Sequence, residues 1–247
     1  MRFLEVMMKE VGKEIKEIEI TILFPCLNEE KTVSTCVRQA LDFLRESELE
    51  GEVLVCDNGS EDASVLRAEE AGARVVICPD KGYGNTLRYG ISKAEGKYII
   101  MGDCDCSYRF DRLEPWMKQL REGTQLIVGD RFGRRQEPGA MPFWHRYLGV
   151  PLLSFLGRKF LGSDVRDFHC GLRAVNKRSF FELNCRYGGM EFATEMIGRA
   201  EQAGQKIGQI PVCFYRDQRG RPSHLRSIQD GFRHLKVIVT RCGCPPF

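Results

Sequence analysis

Short apolar runs alternate with helical-period segments through the first half of the chain, and this alternation narrows the fold more than any other feature. Ile18–Phe24 sets Ile18, Ile20, Ile22 and Phe24 against Glu19, Thr21 and Leu23, with apolar residues on most of both faces. That pattern predicts a strand covered on both sides and ending at Pro25. Val33, Cys36, Val37, Ala40, Leu41 and Leu44 then recur at helical spacing. Further strands are predicted at Glu52–Cys56, Arg74–Cys78, Tyr98–Met101 and Leu126–Val128, with helices between them. Strand–helix–strand repetition implies right-handed crossovers and a largely parallel sheet, an α/β fold.

Composition supports one large domain or two small ones. The chain has 247 residues, 43% of them hydrophobic. Its net charge of +3, from 37 basic and 34 acidic residues, lacks the basic excess of a nucleic-acid module, so no nucleic-acid partner is expected. No apolar run reaches the roughly 20 residues of a bilayer span. Tyr147–Leu161 comes nearest and is broken by Pro151, Arg158 and Lys159. The charged N-terminal stretch does not read as a signal peptide. Without an export signal, the eleven scattered cysteines read as reduced thiols, with Cys36, Cys56, Cys78 and Cys213 in the core. No CxxC pair suggests structural zinc, and a soluble cytoplasmic protein is expected.

Polar residues follow successive strands: Asn28-Glu29, Asp57-Asn58, Asp103 with Asp105, and Asp130-Arg131. Open α/β sheets bind ligands beyond the carboxyl ends of their strands, so these residues mark a polar site. Asp103-Cys104-Asp105 is its centre. Mg²⁺ takes oxygen ligands and shares them with substrate phosphates, so one aspartate suits a metal bridging a diphosphate and the other a ribose hydroxyl. The bland alternative is a solvated turn. Other features stay open in the same way. Gly82-Tyr83-Gly84 precedes a helix and either cradles a phosphate or makes a plain turn. His169 beside Asp167 is an acid/base pair or a structural histidine. Glu191 and Glu195 share a helix face toward the site or toward water. Phe143–Phe160 lies on a membrane surface or in the core.

Pro25-Cys26-Leu27-Asn28-Glu29, Asp57-Asn58-Gly59-Ser60-Glu61-Asp62 and Gly102-Asp103-Cys104-Asp105 resemble, in order, the motifs of family 2 glycosyltransferases with the GT-A fold. Gly129-Asp130-Arg131-Phe132, Asp167–Arg173 and His224-Leu225-Arg226 with Asp230-Gly231 and His234-Leu235 resemble later blocks. These point to the branch of dolichol-phosphate mannose synthase and polyprenyl-phosphate sugar transferases. The resemblance implies a GT-A domain over residues 18–236, between a charged extension (1–17) and a tail (237–247). It also implies inverting transfer of a hexose from a UDP- or GDP-sugar to a polyprenyl phosphate, with Mg²⁺ or Mn²⁺, by an enzyme peripheral at the cytoplasmic membrane face. Nucleotide-sugar binding falls to Pro25, Leu27, Asn28, Glu29, Asp57, Asn58, Gly82, Asp103, Cys104, Asp105 and Arg131. Asp105 is the main metal ligand, with Asp103. Asp105, Asp167 and Arg131 take catalytic roles, and Arg173, Arg219 and His224 serve phosphates or the acceptor.

A lipid phosphate is ionised near neutral pH, since its second pKa is about 6, and needs no general base. A hydroxyl acceptor needs one, and Asp167, Glu191 or Glu195 would supply it. Two departures stand out. Cys104 fills a position where the branch often has alanine, and Arg219-Gly220-Arg221 does not align cleanly with the RxGxS pattern of mannose synthases. Many bacterial relatives continue into transmembrane helices beyond the final motif, whereas this sequence stops at Phe247; a peripheral enzyme or a shortened chain is expected. The rival readings are a transferase to a hydroxyl and a non-catalytic nucleotide-sugar-binding protein. A nucleotidyltransferase ranks lower, because the loop after the first strand is acidic (Asn28-Glu29-Glu30).

Overall fold

The first strand sets the frame. In the computed structural model, which describes residues 17–134, 136–221 and 227–242, Ile20, Ile22, Leu23 and Phe24 are all fully buried. The N-terminal extension through residue 16, His224 with its neighbours and the end of the tail lie outside the described residues. Strands β1 (Ile20–Cys26), β2 (Gly51–Asp57), β3 (Arg74–Ile77), β4 (Tyr98–Met101), β5 (Leu126–Asp130), β6 (Arg173–Asn176) and β7 (Ile207–Pro211) form one sheet in the order β3-β2-β1-β4-β6-β5-β7. The helices are α1 (Val33–Glu46), α2 (Ser64–Glu70), α3 (Tyr83–Lys93), α4 (Glu114–Arg121), α5 (Val150–Leu161), α6 (Lys177–Glu182), α7 (Phe192–Gln202) and α8 (Ser227–Val239). A π-helical turn at His145–Gly149 leads into α5.

One expectation needs adjusting. The first strand does not end at Pro25 but runs through it to Cys26. Pairing with β4 stops at Leu23 opposite Met101, so the proline nitrogen breaks no ladder bond, while Pro25 still lies opposite Cys56 of β2. The sheet is largely parallel, as expected, with β6 antiparallel to both β4 and β5. The last helix reaches Val239 and buries Val237 and Ile238.

Helix α1 packs Cys36, Val37, Ala40 and Leu44 inward, and α3 comes close enough that a Cβ on Gly90 would sit 2.6 Å from Leu23 Cδ1. From β1 the sheet grows one way into β2 and the other way into β4. The crevice at such a reversal is where an open α/β sheet binds its ligand. The loops after β1 and β4, Leu27–Glu29 and Asp103–Asp105, flank it. Cys36, Cys56 and Cys78 are buried as expected, but Cys213 is only half-buried.

Candidate active site

Each loop at the rim is fixed by its neighbour. Asn28 adopts a left-handed backbone (φ 57°), which asparagine tolerates. Its side-chain oxygen accepts the Glu61 N–H at 2.8 Å, and the Glu29 N–H donates to Ser64 Oγ at 2.6 Å. Asp57 folds its own turn, with Oδ2 accepting from Gly59 N (2.7 Å) and Ser60 N (2.9 Å). Asn58 ties this loop to the next, donating to Asp80 O and accepting from Gly82 N, both at 2.8 Å. Asn28, Asp57 and Asn58 thus spend their side chains on the loops themselves. Cys104 is buried, its thiol against Pro25 O at 3.4 Å.

The phosphate cradle suggested by Gly82-Tyr83-Gly84 is not available. The N–H groups of Gly84 and Asn85 at the start of α3 donate to Gly188 O at 2.9 and 3.2 Å. A Cβ on Gly82, which has φ +124°, would approach that same oxygen to 2.4 Å. These glycines serve close packing of the 187–189 loop.

A cavity of about 540 Å³ opens among Asp103, Asp105, Arg131, His169, Arg173 and Arg219. Tyr83 donates its hydroxyl to Asp103 Oδ1 at 3.1 Å. Burial, then the charge of Asp105, pushes the Asp103 carboxyl up to about 6. Asp105 Oδ1 accepts from Ser107 N at 2.9 Å, and Oδ2 from Arg219 Nη2 at 3.0 Å. The same guanidinium reaches Glu29 Oε1 at 3.2 Å and is braced by Asp217 at 2.7 Å through Nε. Arg221 adds bonds to Leu27 O at 2.7 Å and Glu29 Oε1 at 3.2 Å. Burial raises the Glu29 carboxyl to about 7 against the pull of the two arginines. Glu29, Asp105 and Asp217 thus each bond one guanidinium. Oxygen donors of this kind fit a hard divalent cation. No cluster of three or more His, Cys, Asp or Glu ligands occurs among the described residues, so a bound ion would complete its shell with phosphate oxygens and water.

Other sequence-derived candidates take different places. Asp167 is fully buried and does not line the cavity. Both its oxygens hold Arg131, through Nε at 2.6 Å and Nη2 at 2.8 Å. Arg131 lines the cavity from this clamp, its guanidinium 5.3 Å from the centre of the Phe214 ring. His169 and Asp167 are not an acid/base pair: Asp167 Oδ1 accepts the His169 backbone N–H at 3.2 Å, and neither ring nitrogen has a partner among the described residues. Glu195 is fully buried and accepts from Arg186 N, Tyr187 N and Arg199 Nε. Glu191 borders a separate groove beside Lys81 and Gly82. Cavity-lining residues that sequence reasoning did not single out as ligand-facing include Tyr83, Asp217 and His234. Only an aromatic between two glycines and a charged run hinted at the first two.

The residues 21–183 match the family described as Glycosyl transferase family 2. The chain belongs to glycosyl transferase family 2. It is 33% identical over 222 residues to the low-salt glycan biosynthesis hexosyltransferase of Haloferax volcanii, a match covering 89% of this chain and 53% of that protein. A dolichyl-phosphate hexose transferase of the same organism is 24% identical over 227 residues, covering 91% of this chain and 94% of that one. The chain thus spans about half the length of the first of these relatives. Among solved structures, glucosyl-3-phosphoglycerate synthase of Mycobacterium tuberculosis, in complex with uridine diphosphate, superposes with a TM-score of 0.71 at 23% identity, covering 98% of this chain and 84% of that one. Other crystals of that synthase hold Mg²⁺ or Mn²⁺ with uridine diphosphate. The likeness establishes the GT-A fold of this family 2 domain.

Proposed function

We propose that this chain transfers a hexose, with inversion, from a nucleotide sugar to a polyprenyl phosphate at a membrane surface. One observation carries the acceptor: a single segment forms the cavity wall and an exposed apolar face. Met141, Pro142, Val150 and Leu153 line the cavity. Phe143, Trp144, Tyr147, Leu148, Leu152 and Phe155 of the same stretch are each at least half exposed, which excludes a core helix. Residues 138–163 contain no acid and carry Arg146, Arg158 and Lys159, a pattern suited to an anionic bilayer surface. No described helix is long and apolar enough to cross a membrane. A lipid whose tail stays in such a bilayer would reach the cavity along this wall.

The spent carboxylates support the same acceptor. Asp167 and Glu195 are saturated by hydrogen bonds, and neither they nor Glu191 line the cavity. An ionised phosphate nucleophile needs none of them as a base.

The donor side follows from the rim. Pro25, Leu27 and Glu29 would border the nucleotide, and Asp103 and Asp105 would hold Mg²⁺ or Mn²⁺, which supplies Lewis-acid stabilisation of the diphosphate. The leaving diphosphate gains negative charge as the glycosidic bond breaks. Arg219 would exchange its carboxylates for those phosphate oxygens, and Arg131, held rigid by Asp167, would face the same charge. Donors fixed before the reaction favour the transition state over the ground state. The test is a nucleotide-release assay with UDP- and GDP-sugars, with and without a short-chain polyprenyl phosphate. Release that rises with the lipid phosphate and disappears in Asp105→Ala supports the reading. Release indifferent to lipid phosphate overturns the acceptor.

A further inference from the structure

The cavity holds a buried cation with no carboxylate partner among the described residues. Arg173 is 2% exposed, and its guanidinium donates to Cys170 O (2.9 Å), Phe168 O (2.6 Å) and Ala193 O (2.5 Å). No carboxylate lies within ion-pair distance of it among the described residues. Carbonyl dipoles orient such a group but do not neutralise it, and a buried charge is costly until an opposite charge arrives.

Two imidazoles share this wall. The His169 ring stands edge-on to the His234 ring, centroids 4.4 Å apart at 76°. His234 Nδ1 is 2.8 Å from Thr194 Oγ1. Both nitrogens of the His169 ring are shielded from solvent and lack a partner among the described residues. Orphaned buried polar atoms are uncommon in native proteins and call for a partner. Burial, with neighbouring positive charge, holds His169 well below its ordinary pKa and brings His234 to about 4. Both rings are then neutral near pH 7, and each keeps one N–H to donate. The segment that carries His169 and Arg173 abuts Asp103: a Cβ on Gly171 would lie 2.4 Å from Asp103 Oδ2.

We propose that His169 and His234, with Arg173, form a subsite for a phosphate monoester, the head group of the acceptor. A cation and two neutral donors on one wall suit a group that offers several anionic oxygens in a compact head. The assignment rests on the transferase reading of this cavity, and it adds the two imidazoles to the arginine that the sequence resemblance pointed to.

The test uses wild-type protein with ¹⁵N-labelled histidine and no nucleotide. Ring resonances are followed during titration with farnesyl phosphate, farnesol and inorganic phosphate. The subsite predicts that His169 and His234 shift with farnesyl phosphate, and with inorganic phosphate at higher concentration, but not with farnesol. In steady-state kinetics, His169→Gln is expected to raise the acceptor KM by about tenfold while the donor KM moves by less than about twofold, the size of one lost hydrogen bond to a charged group. Shifts with inorganic phosphate but none with farnesyl phosphate would uphold the subsite and overturn the lipid acceptor. Turnover of farnesyl phosphate with unmoved histidine resonances, or a parallel rise of both KM values, would overturn the subsite and leave the transferase reading standing.

Discussion

The guanidinium of Arg219 holds Asp105 Oδ2 at 3.0 Å across 114 residues of sequence. One side chain from the loop after β7 thus neutralises the acidic motif after β4 and, through Glu29, the motif after β1. In the proposed transfer Arg219 is the group that the donor diphosphate would recruit. Arg219→Ala is expected to raise the donor KM by about ten- to a hundredfold, in line with roughly 1.5–3 kcal/mol for a charged hydrogen bond. Arg219→Lys should recover only part of this, because an ammonium cannot span three carboxylates. Steady-state kinetics with varied donor checks it, and an unchanged donor KM would contradict it.

Asp167 tests a different link, from packing to site geometry. Its pair with Arg131 has side chains 9% and 0% exposed. Breaking a buried pair leaves an uncompensated charge and costs about 3–5 kcal/mol. Chemical denaturation of Asp167→Ala should show a loss of that order, with Arg131→Met/Asp167→Leu losing less. A loss in the single variant below about 1 kcal/mol, as for an exposed pair, would contradict the clamp.

Glu29 gives a pH signature in metal-free protein. Its carboxyl moves from 4.5 to about 7 on folding. Between those values the unfolded chain has released a proton that the folded chain retains, so this group lowers stability as pH rises through the window. Buried His234, brought from 6.5 to about 4, works in the opposite direction, so the comparison is made by variant. Relative to wild type, Glu29→Gln should gain stability as pH rises from 4.5 to about 7 and level off above that. Denaturation midpoints measured across this range check it, and a constant difference would contradict it.

The exposed aromatics predict lipid dependence. The chain should sediment with vesicles rich in phosphatidylglycerol and less with neutral ones, since each basic residue near an anionic surface contributes about 1 kcal/mol. Trp144→Glu with Phe155→Glu should weaken sedimentation by at least about tenfold, by placing charge in the apolar face. Equal binding of variant and wild type would remove the membrane surface from the account.

The sequence carried the elements whose signal is local. Strand β4, Tyr98–Met101, is a short apolar run that ends in aspartates, and its bounds match. The carboxyl-end rim could be read because strands and polar loops alternate along the chain. Strand β6 went unpredicted, because Arg173–Asn176 is four residues long and opens with an arginine whose reason for burial lies in distant carbonyls. The partnership of Arg131 with Asp167, 36 residues apart, could not be read from composition, since each residue alone resembles a ligand group. Glu195 was legible as one face of a helix, but the N–H groups of Arg186 and Tyr187 that saturate it come from the preceding loop. His169 and His234 meet only through the packing of α8 against the cavity wall. Periodicity reports which face is apolar; it does not report which polar groups find each other.

Direct product analysis decides whether the chain transfers a hexose to a polyprenyl phosphate. Purified chain, donor, Mg²⁺ or Mn²⁺ and a short-chain polyprenyl phosphate would be incubated and the lipid examined by mass spectrometry. A lipid phosphate heavier by one hexosyl residue is expected with the wild type and not with Asp105→Ala. Consumption of the donor with the lipid phosphate recovered unmodified would contradict it.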